Sequence, residues 1–331
     1  MSNKKSFCLS YKLKEEFCNE EVVFDAHINL WNIGGKKNKP FIDFGILIHN
    51  YAFLESICFS APLKTKQDNI VDLSHFLKAE EIQLIFNNSK YKYQQINQVY
   101  SSYVDDSDKT NLILPIKKND NNLFLSYIDY DSTNEGKSNF SFKIKFLECG
   151  IPNGNEIESV YIRFRITNLE STSLLSTLPI KNNFLESAFI ERQILDFKLN
   201  NVRNIDKYDL SDMAKDGYSL AQFRNIHLFV MVPSDYEITT WGNFSECRQL
   251  EKDEWNNYLG NKANIITSDI SAYHWKYKSN SDRYVDEFAQ LIKMEHKSTN
   301  MFLIIVYCFI AILLGIAGNV LYDLIKMLIG I

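Results

Sequence analysis

Residues 300–331 read NMFLIIVYCFIAILLGIAGNVLYDLIKMLIGI. From Met301 to Tyr322 the run carries no charge, and Asn319 is its one strongly polar side chain. At about 1.5 Å of rise per residue, such a run wound as a helix covers the roughly 30 Å of hydrocarbon in a bilayer. A buried helix of a soluble domain seldom sustains so long an apolar run. The stretch therefore reads as one transmembrane helix over residues 299–322, followed by a short polar-apolar tail, 323–331. Everything before it is then a soluble body on a C-terminal anchor.

Within this helix Ala311, Gly315 and Asn319 recur every four residues, which lines small and polar groups along one stripe and lets a second helix approach closely. Asp323 and Lys326 follow at a spacing of three. On a solitary helix they sit among lipid headgroups. In an assembly of several copies, Asn319, Asp323 and Lys326 line or gate a pore. The stripe predicts a homo-oligomer.

The chain has 331 residues, 45% of them hydrophobic and 14% aromatic, which is ample for a core and excludes disorder as the global state. A formal net charge of −5 excludes a globally basic surface, so any anion site must be local. The six cysteines show neither short metal-ligand spacing nor a paired framework and read as reduced thiols. The first residues, MSNKKSFCLSYKLKEEF, lack the apolar core of a secretory signal. Lys293 and Lys297 precede the apolar run and only Lys326 follows it, so the body is expected on the cytoplasmic side.

Residues 22–32 (VVFDAHINLWN) and 41–49 (FIDFGILIH) are apolar, β-branched and aromatic with partial alternation, and a turn around residue 35 makes them a hairpin. Further strand-like runs lie at 52–59, 82–86, 112–116, 123–129, 140–147, 160–166, 187–200 and 226–232, separated by Asn- and Asp-rich turns. Helical patterns cover 71–80, 245–259 and 282–298. The predicted fold is mainly β: a β-sandwich-like cytosolic body, either one large unit or two in series (1–150 and 151–281). A stalk helix over 282–298 then runs into the transmembrane helix.

Two strands carry the candidate ligand site. In FSFKIKF the residues Phe140, Phe142, Ile144 and Phe146 alternate with Ser141, Lys143 and Lys145. In VYIRFRI the residues Val160, Ile162, Phe164 and Ile166 alternate with Tyr161, Arg163 and Arg165. If the two strands pair, Lys143, Lys145, Arg163 and Arg165 share a solvent face on which an anion would relieve their repulsion. Arg192, Lys198 and Arg203 are weaker candidates of the same kind. The plainer reading is an ordinary solvated face with acidic neighbours.

Catalytic signatures are missing. Gly136-Lys137-Ser138 ends like a phosphate-binding loop, but Asp131 stands where its first glycine belongs and a strand pattern follows where a helix should begin. There is no HExxH, GxSxG or CxxC, and the six histidines are scattered. The expectation is a protein that is not an enzyme and needs no cofactor or metal.

A soluble β-rich body, a stalk and one C-terminal span with a small-residue stripe resembles the bacterial anti-phage membrane effectors, and most of all the channel-forming effector of the Hailong system. The resemblance is one of layout, and no residue's role is carried from it. It implies a homo-oligomeric anion channel in the bacterial inner membrane. A single-stranded DNA oligomer, made by a partner nucleotidyltransferase, would hold it shut until infection removes that oligomer. Effectors gated by cyclic oligonucleotide messengers share the layout. The alternative is a tail-anchored protein-interaction module without channel activity.

Overall fold

A computed structural model describes residues 6–33, 39–63, 67–86, 90–96, 101–116, 126–130, 140–146, 157–167, 169, 174–178, 190–205, 207–240, 245–250, 252–259, 269–279, 283–297 and 301–329. The first part of the chain forms β1 (Cys8–Leu13), β2 (Val23–Trp31), β3 (Phe41–His49), β4 (Leu54–Ala61), β5 (Ile70–Asp72), α1 (Ala79–Phe86), β6 (Lys92–Gln95), β7 (Ser101–Val104) and β8 (Thr110–Ile113). The middle forms β9 (Ser126–Tyr130), β10 (Phe140–Phe146), β11 (Ile157–Ile166), β12 (Leu175–Leu178), β13 (Ile190–Leu199) and α2 (Lys207–Lys215). The last part forms β14 (Ser219–Leu220), β15 (Gln222–Pro233), β16 (Tyr236–Thr240), β17 (Glu246–Gln249), α3 (Lys252–Leu259), β18 (Ile270–Lys278), β19 (Phe288–Lys297) and α4 (Met301–Ile329).

The protein is mainly β, as its sequence predicts. The predicted hairpin is present: β2 and β3 pair antiparallel with Phe24 opposite Ile48 and Trp31 opposite Phe41. Its turn, around residue 35, lies outside the described residues. The hairpin sits centrally in a ten-stranded sheet along which β17, β18, β15, β2, β3, β11, β8, β7 and β6 follow in order, with β5 also pairing β11. A five-stranded sheet has the order β14, β1, β4, β10, β9.

Alternation decides how the two sheets meet. One face of the hairpin is wholly apolar (Phe24, Ala26, Ile28, Leu30, Ile42, Phe44, Ile46, Ile48), and all of it is buried. Together with the neighbouring β11 it packs on the five-stranded sheet through aromatic pairs, with Phe44 of β3 and Phe59 centroids 4.7 Å apart and Phe164 of β11 and Phe142 5.3 Å apart. Each such pair adds about 0.5–1.5 kcal/mol beyond its buried area. This is a β-sandwich. The opposite face of the ten-stranded sheet is buried as well, because Ile82 and Ile85 of α1 and Trp255, Tyr258 and Leu259 of α3 join Trp31 and Phe41 in a second core.

Several boundaries differ from expectation. The body is not two sandwiches in series divided near residue 150: β2 runs parallel to β15 and β3 antiparallel to β11, so both halves of the chain build one sheet. The supposed strand 82–86 is the end of α1, where Glu80 and Glu81 occupy the first turn and Glu81 accepts from the Lys78 amide. Most of the supposed helix 71–80 precedes it as β5 and a 3-10 turn, Ser74–Phe76. The supposed helix 245–259 divides into β17 and α3.

The largest correction concerns the stalk, which is the strand β19. Phe288 and Ile292, four residues apart, satisfy a strand as well as a helix, but Gln290 and Met294 are buried too, while Ala289 and Leu291 are exposed. That is a period of two.

By compactness the chain divides into Met1–Ser176, Leu195–Ser234 and Thr240–Ile292 as one unit, and Thr177–Ile194, Asp235–Thr239 and Lys293–Ile331 as another. A four-stranded sheet has the order β12, β13, β19, β16. Inside the second unit Arg192 Nε donates to Glu295 Oε1 at 2.7 Å, and the rings of Tyr236 and His296 stack with centroids 4.4 Å apart. Helix α4 also belongs to this unit. Its 29 residues have a mean hydropathy of 2.8 over the most apolar window, and none is buried, so it is long and apolar enough to cross a membrane. It extends seven residues beyond the expected end at Tyr322, taking most of the supposed tail with it.

Candidate functional site

The four basic residues of the expected anion site do not share a face. Strand β10 pairs with β4 and β9, whereas β11 pairs with β3, β5 and β8, so the two strands lie in different sheets. Lys143 and Lys145 are both half-buried on β10, with Lys143 Nζ 3.8 Å from Asp216 Oδ2 and 5.1 Å from the Tyr218 ring centroid. Arg163 and Arg165 lie inside, 0% and 4% exposed. The alternation on β11 was legible, but its polar face meets a covering layer instead of solvent. Among the weaker candidates, Arg192 pairs with Glu295, Lys198 with Asp196, and Arg203 is exposed on a 3-10 turn.

The buried arginines belong to a network centred on Asp43. Arg165 Nε donates to Asp43 Oδ1 at 2.7 Å, while Oδ2 accepts from Arg165 Nη2 (3.1 Å), Tyr258 Oη (2.7 Å) and Trp31 Nε1 (3.0 Å). Arg163 reaches the same carboxylate indirectly, through Nε to Tyr258 Oη at 2.6 Å, and its Nη1 donates to Tyr161 Oη at 2.8 Å. Burial works against the charge of Arg163, but Tyr161, Tyr258 and Asp43 around it hold its pKa above the ordinary value. Arg165 Nη1 also meets the Leu259 carbonyl at 3.4 Å, at the negative end of α3. These bonds fix α3 to the sheet.

Beside the network runs a row of histidines. In the registers of β15, β2, β3 and β11, His227, His27, Gly45 and Arg163 are successive neighbours. The His27 and His227 rings stack at 5.1 Å, and His227 Nδ1 lies 3.0 Å from His274 Nε2. Burial, and then the neighbouring His227, push the pKa of His27 well below its ordinary value; burial brings those of His227 and His274 down to about 4. The row is neutral at neutral pH.

An open cleft of about 490 Å3 lies where these strands end, lined by His49, Tyr51, Lys109, Arg224 and Tyr284 among others. Two β-bulges shape it. One makes Arg224 the extra residue between Phe223 and Asn225 opposite β2, and the other shifts β11 against β8 between Ile157 and Ser159. Asn50 turns the chain at the end of β3 in the left-handed region (φ 58°), which asparagine tolerates. A bridge between Phe223 and Val285 places Tyr284 at the rim.

Beneath the cleft Asp25, 3% exposed, holds two of its lining side chains: it accepts from His49 Nε2 at 2.9 Å and from Arg224 Nη2 at 2.6 Å and Nε at 3.3 Å. Asn225 Nδ2 donates to it as well, at 2.9 Å. Burial alone would raise the Asp25 pKa, but His49 and Arg224 hold it well below the usual carboxylate range. The arrangement presents His49 and Arg224 from a fixed base, with Lys109 and two tyrosine rings around them, and suits an anion attached to a flat ring.

Sequence reasoning passed over these residues. Asp25 and Arg224 are 199 positions apart, and the one local signal was a buried-strand pattern interrupted by Asp25 and His49. Ala311, Gly315, Asn319, Asp323 and Lys326 all lie on α4, exposed, with nothing within 4 Å of a Cβ built at Gly315. Among the described residues no group of three or more His, Cys, Asp or Glu is placed to hold a metal ion. No family model matches the chain, and no curated protein is similar to it in sequence.

Proposed function

We propose that the chain is a membrane-anchored effector of bacterial anti-phage defence, in which a cytoplasmic β-rich body senses an oligonucleotide and several copies of α4 form an anion-conducting pore. The observation that carries this reading is that only three residues separate β19 from α4. A passive anchor works on a loose tether, whereas here the spanning helix follows directly on a hydrogen-bonded strand, so a change in the sheet is passed on through little free chain. Asn319, Asp323 and Lys326, toward the end of an otherwise apolar helix, support an assembly that shelters them. The pore would shut while the oligonucleotide made by a partner nucleotidyltransferase is bound.

Expression of the full chain in bacteria with a voltage-sensitive dye is the direct test. Wild type is expected to depolarise the membrane when the restraining ligand is absent, and Lys326→Glu to alter or abolish that effect. If neither protein changes the potential under any condition, the pore is overturned. The second reading, a tail-anchored interaction module, is favoured by the failure of the four basic strand residues to converge, and it would then stand.

A further inference from the structure

The cleft over Asp25 has three properties that an incidental surface depression lacks. Its Arg224 and His49 side chains are held from below by a buried carboxylate, the strands that line it carry two bulges, and Tyr51 and Tyr284 line it with them. Asp25 spends both oxygens on His49, Arg224 and Asn225, which leaves Arg224 Nη1 and His49 Nδ1 outside that pairing. Asp105 is the nearby acid felt by Arg224, and its Oδ1 already accepts from the Ser107 and Lys109 amides. Cationic groups beside π faces are the combination that takes phosphate and base together.

We propose that this cleft binds a nucleotide, with its phosphate among Lys109, Arg224 and His49 and its base against the rings of Tyr51 and Tyr284. The nucleotide is either free or the end of an oligonucleotide, and the chemistry of the contact is the same. The inference rests on the sensing role proposed above and gives it a place on the body. It also supplies the anion site that Lys143, Lys145, Arg163 and Arg165 do not form.

The test uses the full chain in lipid nanodiscs, titrated with AMP, adenosine, inorganic phosphate and the tetranucleotide of thymidylate. AMP is expected to bind about tenfold or more tightly than phosphate or adenosine alone, and to weaken as salt rises. Lys109→Gln and Tyr284→Ala, both at the rim, should each weaken AMP about tenfold without changing the melting temperature. Displacement of AMP by the tetranucleotide identifies an oligonucleotide end as the occupant, and failure to displace it identifies a free nucleotide. Equal affinity for AMP and phosphate overturns the nucleotide assignment, as does AMP binding that both variants leave intact or no binding at low salt. Binding without any effect on membrane potential would remove the pore and keep the cleft; depolarisation without binding would do the reverse.

Discussion

Arg165 grips Asp43 from two directions, Nε on Oδ1 and Nη2 on Oδ2, with side chains 5% and 0% exposed. Among the described residues Asp43 is the one carboxylate bonded into a network that also buries Arg163, so its removal strands two guanidinium groups away from water. Asp43→Ala is expected to destabilise the body by about 3–5 kcal/mol, read from chemical denaturation. A loss under about 1 kcal/mol would show that the pair is not structural. Exchanging Asp43 and Arg165 together for apolar residues of similar volume should cost less than the single change.

Gly45 lies opposite Arg163 in the register of β3 and β11, and a Cβ there would fall 1.9 Å from Tyr161 Oη and 2.6 Å from Arg163 Nη1. Those groups cannot retreat without breaking their own hydrogen bonds. Gly45→Ala should therefore destabilise by about 1–3 kcal/mol or more, where an exposed strand glycine would gain from the same change. Tyr161→Phe, combined with it, should recover part of the loss.

The histidine row makes stability depend on pH in a defined window. His27, His227 and His274 are held neutral in the folded protein, the last two to about pH 4, while an unfolded histidine takes its proton near pH 6.5. Between those values the unfolded chain binds more protons, so stability falls as pH falls and is nearly constant above pH 7. The melting temperature should drop on going from pH 7.5 to 5. His274→Gln should flatten that slope; an unchanged slope would mean that His274 titrates normally in the fold.

For the proposed assembly, Gly315 is the telling position, since nothing within one copy touches the space where its side chain would be. Gly315→Leu should leave membrane insertion intact and abolish cross-linked oligomers in detergent. Oligomers of unchanged size would take the stripe of Ala311, Gly315 and Asn319 out of the assembly.

What was legible in the sequence follows the length scale of each signal. Helix α4 and the β2–β3 hairpin declare themselves within their own residues, by uninterrupted apolarity and by alternation flanking a turn. Strand β19 misleads because a spacing of four fits either period, and Gln290 on the buried side disguises the alternation. Arg163 and Arg165 look solvated because the helix that covers them supplies Tyr258 from 95 and 93 residues away in the chain. The cleft is assembled from the ends of strands β2, β3 and β15 and from Lys109 and Tyr284, and no local pattern announces it.

As the membrane span of the proposed effector, helix α4 would set a demand on the lipid around it. Twenty-nine residues at about 1.5 Å each come to roughly 43 Å, well beyond the hydrocarbon of an ordinary bilayer. Upright, the helix would push Leu324, Ile325, Met327 and Leu328 out among the headgroups; leaning, it would draw Asp323 and Lys326 down toward the oil. Thick membranes relieve the first conflict and thin ones sharpen the second. With α4 spanning the bilayer as proposed, the protein would be sensitive to acyl-chain length, at a cost of a fraction of a kcal/mol for each ångström of mismatch. Its tilt becomes a coordinate that the surrounding lipid can set.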